Sequence, residues 1–219
     1  MDPADAPRLP SQPFLYAIIN ASMAGSRSLT EWVHLLAGPD RASVVQWRFK
    51  GLTDGEALAG ARELRAATRE AGVLLFINDR PDIARMVEAD GVHVGQGDLD
   101  ASDVRALLPD ALIGVSTHNP HEFEAALRLP VDYIAVGPVF GTTSKANPDP
   151  AVGLEFVSWA RARTAKPLVA IGGINAANAS SVIGAGALGL AVISDLMQAD
   201  DPAEAARRFQ AAIRPEQAR

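Results

Sequence analysis

Short apolar runs recur along the chain at 14–19, 42–47, 73–77, 91–94, 112–115, 132–136, 167–171 and 188–193, and each gives way to a polar or glycine-containing end. The runs are four to six residues long and rich in Val, Ile and Leu. Continuous apolar runs of that length suit parallel strands buried on both faces, because a strand with one wet face would alternate. Between the runs the period lengthens to that of a helix. It is clearest over 54–70, where Ala57, Leu58, Ala61, Leu64 and Ala67 share one face, with Asp54 as the expected N-cap. Shorter helical patterns cover 102–108 and 122–129. A last helix over 202–213 starts with a proline after Asp200 and Asp201, a cap followed by the residue favoured at the first helical position. Eight β-α units in 219 residues predict an α/β fold, a (β/α)8 TIM barrel occupying 14–219 as one domain. In such a barrel the C-terminal ends of the strands form the active-site face, so the eight run ends are where function is to be sought.

Composition narrows the classes. There are 26 acidic and 20 basic residues, a net charge of -6, which argues against general nucleic-acid binding. There is no cysteine, which removes disulfides, thiolate nucleophiles and Cys-based metal sites. Residues 1–13 are proline-rich without an apolar core, and are expected to be a disordered tail rather than a signal peptide. No stretch approaches the apolar length of a membrane span, so a cytoplasmic protein with no membrane partner is expected. Oligomeric state is left open, a homo-oligomer included.

Strand 2 ends in Val45-Gln46-Trp47-Arg48-Phe49-Lys50. Strand side chains alternate, so Gln46, Arg48 and Lys50 share one direction and Trp47 and Phe49 the other. With the aromatics facing helices, two cations point into the barrel mouth. They call for anions, either a bound ligand or a structural ion-pair layer. Strands 3 and 4 end in windows that bring Asp79 and Asp98 to neighbouring strand ends, with strands ~5 Å apart. Two carboxylates at that spacing could share one hard cation such as Mg²⁺, or act as an acid/base pair. Alternatively Asp98 caps the next helix and Asp79 pairs with Arg80. His93 is read as a hydrogen-bonded residue inside the barrel below the mouth. Ser116 ends strand 5 outside any hydrolase nucleophile context and could donate to a phosphate oxygen, while Thr117 or Asn119 could cap the next helix. The stretch 141–152 is too long and proline-rich for an ordinary barrel loop, and reads as a lid carrying Thr142, Ser144 and Lys145 as an oxyanion clamp. Gly172–Gly173 and Ser194 follow strands 7 and 8, where barrels commonly bind phosphate with backbone N–H groups. The inventory is two anion sites, implying two phosphorylated substrates or one with phosphate at both ends.

These windows resemble the thiamine-phosphate synthase (thiamine-phosphate pyrophosphorylase) family. The matching stretches are QWRFK at 46–50, INDR at 77–80, GVHVGQGD at 91–98, GVSTH at 114–118, DYIAVGPVF at 132–140, TTSK at 142–145, AIGGI at 170–174 and AVIS at 191–194. They run in order over about 14–213. Trp47 and Phe49 depart from the family's second-strand motif at the outward positions only. Ser144 stands where threonine is usual, which keeps the hydroxyl, and Asn20 where an acidic residue is frequent, so no role is assigned to it. The resemblance implies a transferase of thiamine biosynthesis. It joins hydroxymethylpyrimidine pyrophosphate to hydroxyethylthiazole phosphate, releasing pyrophosphate by a dissociative, Mg²⁺-assisted substitution. It further implies that Arg48, Lys50, Asn78 and Lys145 hold the pyrophosphate and that Asp79 and Asp98 hold Mg²⁺. Ser116 stabilises the departing pyrophosphate or the pyrimidine, and Gln46 contacts the pyrimidine. Thr142, Ser144, Gly173, Ile193 and Ser194 bind the thiazole phosphate. Arg48, Ser116 and Lys145 are the expected catalytic residues. The alternatives are a thiazole tautomerase, in which His118 would be tempting as a proton carrier, and a non-catalytic phosphate-binding barrel. Neither needs the set Arg48, Lys50, Asp79, Asp98 and Lys145.

Overall fold

A computed structural model describes residues 6–141 and 149–214. Eight parallel strands close into a barrel in sequence order: β1 (Phe14–Asn20), β2 (Val44–Arg48), β3 (Leu74–Asn78), β4 (Gly91–Val94), β5 (Leu112–Thr117), β6 (Tyr133–Val136), β7 (Leu168–Ile171) and β8 (Gly189–Val192). Each expected run holds one strand. The helices are α1 (Leu29–Leu36), α2 (Asp54–Ala71), α3 (Pro81–Met86), α4 (Ala101–Leu107), α5 (Pro120–Ala126), α6 (Gly153–Arg161), α7 (Ala179–Gly184), α8 (Ser194–Met197) and α9 (Pro202–Ile213). None among the described residues is long and apolar enough to cross a membrane. Residues 6–13, expected as a tail, form no helix or strand, and Leu9 among them packs against the core.

Local chemistry sets the element ends. The cap of α2 is Thr53, not the expected Asp54. The Thr53 hydroxyl accepts from the Glu56 N–H while the Glu56 carboxylate accepts from the Thr53 N–H, so two otherwise unpaired donors are satisfied reciprocally. Asp201 caps α9 by accepting from the Glu204 N–H at 3.0 Å. Asn119 caps α5 in the same way, at 3.0 Å from the Glu122 N–H.

The barrel interior is filled by aromatic rings set against glycines. A Cβ on Gly91 would fall on the Phe76 ring, one on Gly114 on the Tyr133 ring, and one on Gly189 on the Phe14 ring. Large and small residues at paired positions of neighbouring strands thus interdigitate and fill the interior. Phe76 lies 5.5 Å from Tyr16 and 5.8 Å from Tyr133, ring to ring. Outside the barrel, Trp47 is buried against α2, its Nε1 donating to the Ala57 carbonyl at 3.2 Å, and Phe49 packs on Trp47. The two aromatics face the helical layer, so Gln46, Arg48 and Lys50 face the mouth.

The opposite end of the barrel is braced by two aspartates. Asp90, just before β4, accepts from both terminal guanidinium nitrogens of Arg65 at 2.6 and 3.2 Å and from the Leu75 N–H at 2.7 Å. Asp132, just before β6, repeats the arrangement with Arg105 at 2.6 Å and the Ile113 N–H at 2.7 Å. Asp90→Ala would strand a mostly buried guanidinium and a strand N–H together. It is expected to lower the unfolding free energy by about 2–3 kcal/mol and leave kcat/KM unchanged. Urea denaturation beside steady-state kinetics checks this; an unchanged midpoint would show that the brace adds nothing.

Candidate active site

Every expected site residue among the described residues lines one cavity of about 360 Å³ at the C-terminal mouth of the barrel. Thr142, Ser144 and Lys145 lie outside the described residues.

One wall is cationic. Arg48 and Lys50 come from β2 and its extension, Asn78 and Asp79 from the end of β3, and Asp98 from the loop after β4. Arg48 makes no ion pair among the described residues, which leaves its charge available to an anion. Lys50 reaches Asp79 at 3.3 Å. Asp79 has left-handed backbone geometry, φ 63°, unusual outside glycine but tolerated best by Asn and Asp. In that conformation its N–H donates to the His93 carbonyl at 2.8 Å, while its carboxyl reaches that of Asp98. Burial, then hydrogen bonding to Asp98 and the repulsion of its charge, push the Asp79 carboxyl above the ordinary carboxylate range; Lys50 opposes this.

The bland readings of these two aspartates fail. Asp79 pairs with Lys50, because Arg80 is turned away to Asp82 and Asp54, each at 2.6 Å. Asp98 does not cap α4, whose cap is Asp100, accepting from the Ser102 N–H at 2.8 Å. Asp98 instead accepts from the Gly95 N–H at 2.7 Å, which fixes it at the mouth.

Two neighbouring carboxylates of which one resists ionisation fit a shared divalent cation. A hard ion would relieve their repulsion and draw its remaining ligands from water and substrate oxygens. No group of three or more His, Cys, Asp or Glu side chains suited to a metal occurs among the described residues, so the protein alone would supply a partial coordination shell.

The facing wall is built from backbone. β7 and β8 lie across the closed barrel from β3 and β4. Gly172 and Gly173 both have positive φ, 100° and 62°, and a Cβ on Gly173 would collide with Gly141 and Phe140. Only glycine allows the chain after β7 to turn so tightly against the start of the 141–152 stretch. Ile193 is the N-cap residue of α8 and its side chain makes no capping hydrogen bond. A short extra helix after β8, beside the loop after β7, is where barrels commonly hold phosphate.

The floor is polar, a feature the strand pattern did not announce. Gln46 Nε2 donates to Tyr16 Oη at 2.8 Å, and Tyr16 Oη lies 3.3 Å from Tyr133 Oη. Tyr133 Oη is 2.8 Å from His93 Nδ1, and His93 Nε2 is 2.8 Å from Ser116 Oγ. His93 is hydrogen-bonded inside the barrel, as expected, but it also borders the cavity with Tyr16 and Tyr133. Both tyrosines were missed as site residues because they read as core aromatics of their strands. Burial raises the pKa of each, so both stay neutral phenols. His118 is held between carboxylates, 2.8 Å from Glu122 and 3.5 Å from Asp149.

The chain is similar to known proteins along most of its length. The sequence model of the thiamine monophosphate synthase family matches residues 15–196. The chain is 43% identical over 201 residues to the thiamine-phosphate synthase of Chloroflexus aurantiacus, covering 91% of this chain and 92% of that one. It is 45% identical over 203 residues to the thiamine-phosphate synthase of Koribacter versatilis, covering 90% and 94%. Among solved structures, the thiamine phosphate pyrophosphorylase from Pyrococcus furiosus superposes with a TM-score of 0.82 at 32% identity, covering 92% of this chain and 96% of that one. A 3-hexulose-6-phosphate synthase, at 19% identity and a TM-score of 0.61, shares the barrel fold. With the match running from β1 to α8 through every window of the mouth, the chain belongs to the thiamine monophosphate synthase family.

Proposed function

We propose that this barrel is a thiamine-phosphate synthase, a transferase that moves a pyrimidinylmethyl group from pyrophosphate to a thiazole nitrogen. The observation that carries the reading is two unlike walls across one mouth, one cationic and one built from tight glycine turns. The Arg48, Lys50 and Asn78 wall suits a leaving pyrophosphate, and the Gly173, Ile193 and Ser194 wall suits the phosphate of the thiazole partner. By resemblance, Thr142 and Ser144 join the second site and Lys145 the first. Gln46 is assigned to the pyrimidine, and Asp79 and Asp98 to Mg²⁺.

In the forward reaction the bond between the pyrimidine methylene carbon and the pyrophosphate oxygen breaks, and the electron pair leaves with pyrophosphate. The thiazole nitrogen then gives its lone pair to the methylene cation, forming thiamine phosphate. Arg48, Lys50 and Lys145 meet the charge that develops on the departing oxygen, and Ser116 adds a neutral donor beside them. Mg²⁺, when held by the carboxylate pair, would supply further charge neutralisation to the phosphate oxygens. The backbone wall anchors the thiazole so that its nitrogen is already near the cation when it forms, which favours capture over loss to water. The reading carries with it a cytoplasmic enzyme that acts on phosphorylated small molecules.

Purified protein given both substrates and Mg²⁺ is expected to form thiamine phosphate and pyrophosphate together. Isomerisation of the thiazole without any coupling would replace this reading with a tautomerase. Release of no product at all would favour a binding barrel.

A further inference from the structure

We infer that Gln46, Tyr16, Tyr133 and His93 form a directional hydrogen-bond relay that fixes His93 as the Nε2–H tautomer and thereby turns the Ser116 hydroxyl hydrogen into the cavity. The relay joins residues of β2, β1, β6, β4 and β5, so it crosses the floor between the two walls. It rests on the coupling reading above and makes Tyr16, Tyr133 and His93 positioning residues, with Gln46 at the head of the relay.

The direction follows from which groups can only donate. The Gln46 amide NH₂ has no acceptor capacity, so at 2.8 Å the Tyr16 oxygen accepts from it. Tyr16 must then send its own O–H elsewhere. Its ring is buried to 1% exposure, and among the described residues the other oxygen hydrogen-bonded to it is Tyr133 Oη at 3.3 Å, the longest link of the relay. Tyr133, with no exposure, has accepted there, and donates to His93 Nδ1 at 2.8 Å. A neutral imidazole that accepts at Nδ1 carries its proton on Nε2 and donates it to Ser116 Oγ at 2.8 Å. Ser116 has accepted in turn, so its own hydrogen is the one left over, beside the cationic wall.

Alignment of the hydroxyls is stable because water cannot replace the partners of either tyrosine. Burial raises both phenol pKa values, so neither ring ionises and reverses the chain. Gln96 Nε2, donating to the Ser116 carbonyl at 2.6 Å, holds the end of β5 in place. The consequence is a hydroxyl donor oriented before substrate arrives, with no reorganisation needed when charge develops. A serine in solvent would lose that advantage.

The relay can be reversed by one isosteric change. In Gln46→Glu the carboxylate accepts from Tyr16, so every hydroxyl turns round. His93 then donates from Nδ1 to Tyr133 and accepts at Nε2 from Ser116, whose hydrogen now points away from the cavity.

¹⁵N-histidine NMR of the full chain, with the His93 signals assigned through His93→Gln, reads this without substrate. The wild-type protein is expected to show a protonated Nε2 and an unprotonated Nδ1, and Gln46→Glu the opposite. In Tyr16→Phe, which cuts the relay without adding charge, both tautomers should be populated. In kinetics, Tyr16→Phe is expected to lower kcat by about tenfold and leave KM for the thiazole phosphate unchanged. Nδ1–H or imidazolium in the wild-type protein would overturn the relay, as would a tautomer indifferent to both substitutions. A correct tautomer pattern in a protein that couples no substrates would sink the synthase reading and leave the relay standing.

Discussion

Arg48→Ala and Lys145→Ala are each expected to lower kcat by about 10²–10³-fold, equivalent to roughly 2–4 kcal/mol of transition-state stabilisation, with little change in KM for the thiazole phosphate. The magnitude is that of a single oriented donor to a developing oxyanion. Arg48 is the better grounded of the two, since it projects inward from β2 and makes no ion pair among the described residues, while Lys145 enters through the TTSK motif. Folding of Arg48→Ala should survive, because Arg48 neutralises no other charge among the described residues. Steady-state kinetics with each substrate varied in turn separates the effects. Wild-type kcat with a raised KM for the thiazole phosphate would mean that the cations serve the other substrate.

The second large effect concerns the carboxylate pair. Asp79→Asn and Asp98→Asn are each expected to raise the Mg²⁺ concentration needed for activity by at least about tenfold. The double variant should lose less than the sum of the two, because both groups serve one ion. A changed pH–rate profile at saturating Mg²⁺, with the metal requirement intact, would assign the pair to acid/base chemistry instead.

The same pair links function to stability. The raised Asp79 pKa means that the folded protein holds that proton more tightly than the unfolded chain does. Stability without metal therefore falls as pH rises from the ordinary carboxylate range through the raised value, and stays lowered above it. Asp79→Asn removes that cost. The variant is expected to be more stable than the parent at neutral pH in the absence of Mg²⁺, with the difference vanishing in acid. Thermal unfolding at both pH values checks it.

The barrel was legible because its evidence is local and repeated. Eight apolar runs with polar ends fix eight strands, and the alternation in 45–50 alone separates the buried Trp47 and Phe49 from Gln46, Arg48 and Lys50 at the mouth. The boundary errors are similarly local. Asp54 and Thr53 are both good caps, and what decides is Glu56, spaced to answer Thr53. The carboxylate pair was legible as a pair, since strand neighbours in a sequential barrel are known in advance. What tells against the alternatives is that Asp100 caps α4 and that Arg80 is occupied by Asp54 and Asp82.

The floor was not legible. Tyr16 and Tyr133 sit in runs that look like uniform core, and nothing near them in sequence marks their hydroxyls as paired over a separation of 117 residues. A signal did exist in the glycines. Gly91, Gly114 and Gly189 occupy positions where a strand normally carries a β-branched residue, which announces that large rings from other strands fill the space.

The central claim is spatial: pyrophosphate and metal at the β2–β4 side of the mouth, thiazole phosphate at the β7–β8 side. A crystal structure with thiamine phosphate, pyrophosphate and Mg²⁺ tests it most directly. The account predicts pyrophosphate against Arg48, Lys50 and Asn78, the ion between Asp79 and Asp98, and the ester phosphate on the amides near Gly173 and Ser194. The two phosphate groups exchanged, or an ion bound away from both aspartates, would contradict it.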